Sequence, residues 1–141
     1  MRIKDEQAML DVGRDFALQL KTGMLIFLQG DLGAGKTTFV RGVLRGLGHE
    51  GSVKSPTYNL VEPYTVKGRA VFHFDLYRLM DGEELEYMGI RDYLNDQSIC
   101  FVEWPDKAGG LLPEPDVLIE INIHQDEREL LISSNKGIEK Q

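Results

Sequence analysis

Cysteine is all but missing from this chain of 141 residues, where Cys100 stands alone. A lone thiol excludes an intramolecular disulfide and a cysteine-rich metal site. Its place in an apolar run suits a small buried hydrophobe. Basic residues are also short, 16 Lys and Arg against 23 Asp and Glu, for a formal net charge of −7. Broad, sequence-independent nucleic-acid binding needs clustered positive charge, so any work on RNA calls for a local basic patch or a partner. Long apolar runs are missing too: none approaches the roughly eighteen residues of a membrane span. Asp5, Glu6, Asp11 and Asp15 crowd the start of the chain, which argues against a signal peptide. The expectation is a cytoplasmic protein with no membrane contact. Repeats, low-complexity stretches and linkers are absent as well. With 42% hydrophobic and 28% charged residues, the chain reads as one domain over 1–141, with a polar tail at 135–141.

What is present is concentrated at residues 30–38, Gly-Asp-Leu-Gly-Ala-Gly-Lys-Thr-Thr. The stretch matches G-x-x-x-x-G-K-[ST], with Gly30, Gly35, Lys36 and Thr37 at the fixed positions. A triphosphate carries several negative charges and needs many donors in a small arc. Glycines let successive backbone N–H groups point inward as an anion nest, and the helix that follows adds the positive end of its dipole. Lys36 would reach the β- and γ-phosphates, and the Thr37 hydroxyl would ligate Mg²⁺. The apolar run Met24-Leu25-Ile26-Phe27-Leu28 before the loop suits a buried strand. Val40, Val43, Leu44 and Leu47 after it recur at helical spacing.

The remaining chain reads as alternating elements. Asp5 caps a helix with Ala8, Val12, Phe16 and Leu20 on one face, ending near Gly23; the segment before it is free to line a nucleotide base. Ser55-Pro56-Thr57 is a stiff turn flanked by hydroxyls. A loop of this kind can sense the γ-phosphate or orient an attacking water, with Thr57 as the candidate catalytic hydroxyl. Ala70, Phe72 and Phe74 alternate with Val71, His73 and Asp75 in a strand, in which His73 reads as an ordinary strand histidine. Asp81-Gly-Glu-Glu84 resembles a capping box before a short acidic helix stopped by Gly89. Residues 98–102 form a second apolar strand that ends in Glu103-Trp104-Pro105. Asp75 and Glu103 both stand at strand ends, where carboxylates face the ligand crevice of a parallel sheet. Both are therefore candidates for holding Mg²⁺ or water. Val117, Ile119, Ile121 and Ile123 alternate in a half-exposed strand, and a turn at 124–127 leads back into an antiparallel partner at 130–133. The fold expected is α/β, P-loop NTPase-like: a mainly parallel sheet flanked by helices, with an antiparallel C-terminal hairpin.

A phosphate loop leaves the reaction open. A GTPase needs a guanine-reading Asn-Lys-x-Asp, and Asn135-Lys136-Gly137-Ile138 lacks the aspartate. A small-molecule kinase usually has an arginine-bearing lid; Arg69, Arg78 and Arg91 keep that alternative open. An ATPase acting on a partner fits a compact core with switch-like loops.

Four motifs together resemble the TsaE (YjeE) family: residues 30–38, Ser-Pro-Thr-Tyr at 55–58, His-Phe-Asp-Leu-Tyr-Arg-Leu at 73–79 and Glu-Trp-Pro at 103–105. The resemblance runs in order from about residue 5 to 123 and implies a Mg²⁺-dependent ATPase required for threonylcarbamoyladenosine in tRNA. Such an ATPase acts beside the TsaB–TsaD pair, meets tRNA only through that complex and does not itself transfer the group. Position by position, the family pattern implies Thr37 and Glu103 as Mg²⁺ ligands. It implies Asp31, Leu32, Gly33, Ala34, Gly35, Lys36, Thr37 and Thr38 as the ATP-binding loop. Asp75 and Trp104 match active-site residues, and Glu6 falls where the N-terminal segment meets the nucleotide.

Overall fold

The computed structural model describes residues 1–54 and 60–134. The Ser55-Pro56-Thr57 turn, with candidate Thr57, and the tail at 135–141 lie outside the described residues.

The apolar runs form strands and the amphipathic stretches form helices. In chain order these are β1 Arg2–Ile3, α1 Glu6–Phe16, β2 Leu25–Gln29, α2 Lys36–Leu47, β3 Val61–Val66 and β4 Arg69–Asp75. There follow α3 Glu83–Tyr87, α4 Ile90–Tyr93, β5 Ser98–Glu103, β6 Val117–His124 and β7 Glu127–Ser134. The seven strands make one sheet in the order β1-β7-β6-β2-β5-β4-β3. Its centre is parallel, β2 pairing with β5 and β6 and β4 pairing with β5. Its edges are antiparallel, through β3–β4, β6–β7 and β1–β7. The α/β architecture with an antiparallel C-terminal hairpin is therefore as expected.

Strand alternation distributes the core between two faces. Ile26, Leu28, Val71, Ile99 and Phe101 pack with Phe39, Val40, Val43 and Leu44 of α2 and with Met9 and Phe16 of α1. Leu25, Phe74, Cys100 and Val102 point to the opposite face, against Leu85 of α3 and Ile90 of α4. Cys100 is buried there, and desolvation pushes its thiol up to about 12, so it stays a protonated hydrophobe.

Local signals set the element ends. Asp5 Oδ1 accepts from the Ala8 N–H at 2.8 Å, the expected cap of α1. That helix stops at Phe16 and tightens into a 3-10 turn, Ala17–Gln19, which still buries Leu20. The capping-box reading at 81–84 holds in one arm only: Glu84 Oε2 accepts from Asp81 N–H, but Asp81 Oδ1 accepts from Glu83 N–H and Gly82 is the N-cap of α3. Gly89, at φ 73°, then separates α3 from α4.

Two expectations need correcting. Ile123 is 43% exposed although Val117, Ile119 and Ile121 are buried. The cause is length: β6 pairs with β2 only as far as Glu120, so its end runs past the central sheet. β7 also begins at Glu127, three residues before the apolar stretch suggests, because polar Glu127, Arg128 and Glu129 already pair with β6. Among the described residues no helix is long and apolar enough to cross a membrane.

Candidate functional site

The strand parity that builds the core also builds the site. Val71, His73 and Asp75 share one face of β4, and Ile99, Phe101 and Glu103 share one face of β5. Both sets look toward α2. Register places Asp75 beside Glu103 at the carboxyl ends of these parallel strands, and the loop at 30–35 leaves the carboxyl end of β2 between them and β6. A crevice at the carboxyl ends of a parallel sheet is where such folds bind ligands.

The loop reaches α2 through left-handed backbone at Gly33 (φ 80°) and Gly35 (φ 110°). Side chains with a Cβ adopt such angles only at a cost, and Gly35 is also the N-cap of α2. The cap has no side chain, so the first amides of α2 remain available to an anion. Lys36 is 5% exposed. Its Nζ donates to the Gly30 carbonyl and lies 3.8 Å from the centre of the Trp104 ring. Burial lowers the pKa of this ammonium, while Glu103, Asp75, Asp31 and Asp106 oppose the shift.

Trp104 takes a left-handed φ of 57°, a conformation that costs a non-glycine residue about 1–3 kcal/mol. The bend brings its indole under Lys36 and against Tyr77, with ring centroids 5.0 Å apart. Pro105 then starts a 3-10 turn, Pro105–Ala108.

Behind the loop lies a chain of polar contacts. The Thr37 hydroxyl donates to Glu103 Oε2 at 3.0 Å. The same oxygen is 2.6 Å from Nε2 of His73, which is fully buried; Glu103 is 3% exposed. Nδ1 of His73 is buried with no hydrogen-bond partner; with Glu103 ionised, the bond between them is a donation from the Nε2–H tautomer. A carboxylate this deep depends on both donors. Asp75 is half-buried, its Oδ1 accepting from the Tyr77 N–H at 3.0 Å. Desolvation raises its pKa, the Tyr77 N–H lowers it and the neighbouring Glu103 raises it again.

A cleft of about 240 Å³ opens on the other side of the loop, lined by Glu6, Met9, Ala34, Gly35, Thr38 and Arg128 among others. Glu6 stands in the first turn of α1, not in a segment ahead of it, and is 3.5 Å from Arg41 Nη1. Asp31, Leu32 and Gly33 form the exposed rim of the loop.

The structure thus brings Lys36, Thr37, Asp75, Glu103 and Trp104 to one side of the loop, and Glu6 and Thr38 to the other. It adds two residues that motif reading missed. His73 looks in sequence like any histidine in an alternating strand; its position two residues before Asp75 is the signal, because that parity aims it at the carboxylate of the adjacent strand. Arg128 donates through Nε to the Ala34 carbonyl and through Nη2 to the Gly33 carbonyl, both at 3.2 Å. Nothing in the sequence around it marks that role.

Comparison with known proteins agrees with this geometry. Residues 3–130 match the family model described as "Threonylcarbamoyl adenosine biosynthesis protein TsaE". A tRNA threonylcarbamoyladenosine biosynthesis protein TsaE from Haemophilus influenzae is 53% identical, over 96% of this chain and 90% of its own. The protein of the same description from Bacillus subtilis is 38% identical, over 81% and 72%. A crystal structure of Bacillus subtilis YdiB superposes with a TM-score of 0.80 at 30% identity, covering 95% of this chain and 83% of that one. The chain belongs to the TsaE family, whose members are involved in tRNA threonylcarbamoyladenosine biosynthesis.

Proposed function

We propose that the chain binds ATP with Mg²⁺ and hydrolyses it, and that hydrolysis supports tRNA threonylcarbamoyladenosine formation by a TsaB–TsaD complex. The observation that carries this reading is the Thr37–Glu103 contact at 3.0 Å beside the glycine-rich turn. It joins the helix that begins the phosphate site to a carboxylate from a neighbouring strand.

The oxygen chemistry fits Mg²⁺. A hydroxyl and a carboxylate, both hard donors, stand adjacent behind the loop, and Mg²⁺ commonly takes one or two protein oxygens and completes its shell with phosphate and water. Thr37 and Glu103 would hold it, where it supplies charge neutralisation on the transferring phosphoryl group. The chain's own residues do the rest. Backbone amides at 33–36 bind the phosphates. Lys36 exchanges its contacts with Gly30 and Trp104 for the β- and γ-phosphates. His73 keeps Glu103 oriented, and Asp75, at the strand end beside Glu103, positions the attacking water. Glu6 lies at the cleft suited to the base. The net charge of −7 accords with reaching tRNA through partners and not directly.

A reconstituted assay tests this reading by following threonylcarbamoyladenosine over many turnovers with TsaB–TsaD, with and without the protein. Sustained product formation is expected only with the wild type, and Glu103→Gln is expected to stop it while leaving ATP binding measurable. Equal yield without the protein, or a phosphorylated small molecule formed by the protein alone, defeats the proposal.

A further inference from the structure

We propose that Arg128 is a positioning residue for the phosphate loop, holding it in its anion-binding shape before nucleotide arrives; this rests on the nucleotide-binding reading above. A loop that turns its N–H groups toward an anion must turn carbonyls elsewhere, and those carbonyls need donors. Within the loop, Gly30 O accepts from Lys36, Asp31 O from the Ala34 N–H, and Gly35 O from the Phe39 N–H. The carbonyls of Gly33 and Ala34 receive their hydrogen bonds from Arg128, through Nη2 and Nε. They belong to the left-handed part of the turn, between Gly33 and Gly35.

The guanidinium suits this task. Its Nη1 also donates to the Glu127 carbonyl at 3.1 Å, so all three nitrogens of the planar fork are engaged. Its backbone is anchored on both sides, since Arg128 pairs with Ile3 of β1 and with Ile123 of β6. The arginine thereby braces the loop against the C-terminal hairpin, 94 residues further along the chain. A lysine offers one point charge and cannot span two carbonyls with fixed geometry.

The rival role for Arg128 is direct contact with the base, because it also lines the cleft beside Glu6 and Met9. Full-length Arg128→Gln and Arg128→Lys separate the two. ADP and tripolyphosphate, the latter having phosphates and no base, are titrated calorimetrically with Mg²⁺. Hydrogen exchange is followed at the Ala34 amide, which donates to Asp31 O at 3.0 Å. Arg128→Gln should weaken both ligands by about tenfold or more, and Arg128→Lys should restore little. Exchange at Ala34 should accelerate in the nucleotide-free variant while Val43 and Leu44 stay protected, which marks an intact α2. Weaker ADP with unchanged tripolyphosphate overturns the proposal in favour of base contact. Unchanged exchange at Ala34, or protection lost equally across α2, also overturns it. Wild-type protein that binds neither ligand defeats the nucleotide reading instead, and exchange at Ala34 then still decides what Arg128 does to the loop.

Discussion

The bond between His73 and Glu103 can be weighed without any ligand. A hydrogen bond to a charged group contributes about 1.5–3 kcal/mol, and removing one partner leaves the other buried and unsatisfied. His73→Leu keeps roughly the same volume on β4 but deprives Glu103 of its donor at 2.6 Å. Glu103→Leu deprives His73 of its acceptor in a residue only 3% exposed. Each single change should therefore cost about 2 kcal/mol. The double variant places two apolar groups against each other and orphans neither ring nor carboxylate, so it should cost much less than the sum. Urea unfolding of the four proteins measures this directly. With a slope of about 2 kcal/mol per molar urea, each single variant moves the midpoint by about 1 M. The coupling energy expected is about 1.5–3 kcal/mol. Single costs that add within about 0.5 kcal/mol would mean that the two side chains act independently, and that outcome would falsify the role assigned to His73.

Two further predictions concern the front of the site. Burial raises the pKa of Asp75, so its folded value lies above the unfolded one, near 3.9. The stability this confers is fully present below the unfolded pKa and is lost as pH rises through the folded value. Asp75→Asn should accordingly be more stable than wild type at pH 7, with the advantage fading below about pH 4, while hydrolysis falls; urea unfolding at both pH values checks it, and a less stable variant at pH 7 contradicts the desolvation argument. Trp104 is the sole tryptophan, and Lys36 lies over its ring. Nucleotide should draw the ammonium away and change the indole emission, whereas Lys36→Ala should lose this response and at least tenfold in affinity, about 1.4 kcal/mol. An unchanged ADP affinity in folded Lys36→Ala speaks against the phosphate-loop assignment.

What sequence could reveal depended on how locally each feature is encoded. The glycine-rich loop, its strand and its helix were legible because glycines with special backbone angles, an apolar run and a 3.6-residue period fall within about 25 consecutive residues. The Asp5 cap was legible for the same reason. Asp75 and Glu103 were both visible as strand-end carboxylates. Which of them meets Thr37 depends on side-chain direction across the β4–β5 register, and the residues alone left that open. His73 reads in sequence as an ordinary strand histidine; it stands in the strand as expected, but its partner lies 30 residues away. Arg128 depends on a contact across 94 residues, and no pattern along the chain encodes it. β1 has only two residues, too few for a period to register.

The helix crossing carries a consequence for how this cleft can vary. Gly42 of α2 faces the backbone of α1 so closely that an added Cβ would lie 3.0 Å from Leu10 Cα. One of these helices starts at the glycine-rich loop and the other supplies Glu6 and Met9 to the opposite wall of the cleft. At this crossing backbone meets backbone, while Phe16 and Phe39 pack ring against ring beside it. The crossing therefore sets how closely the two helices approach at this point. A change in what this cleft admits is therefore more directly made by exchanging the residues that line its walls than by moving the helices.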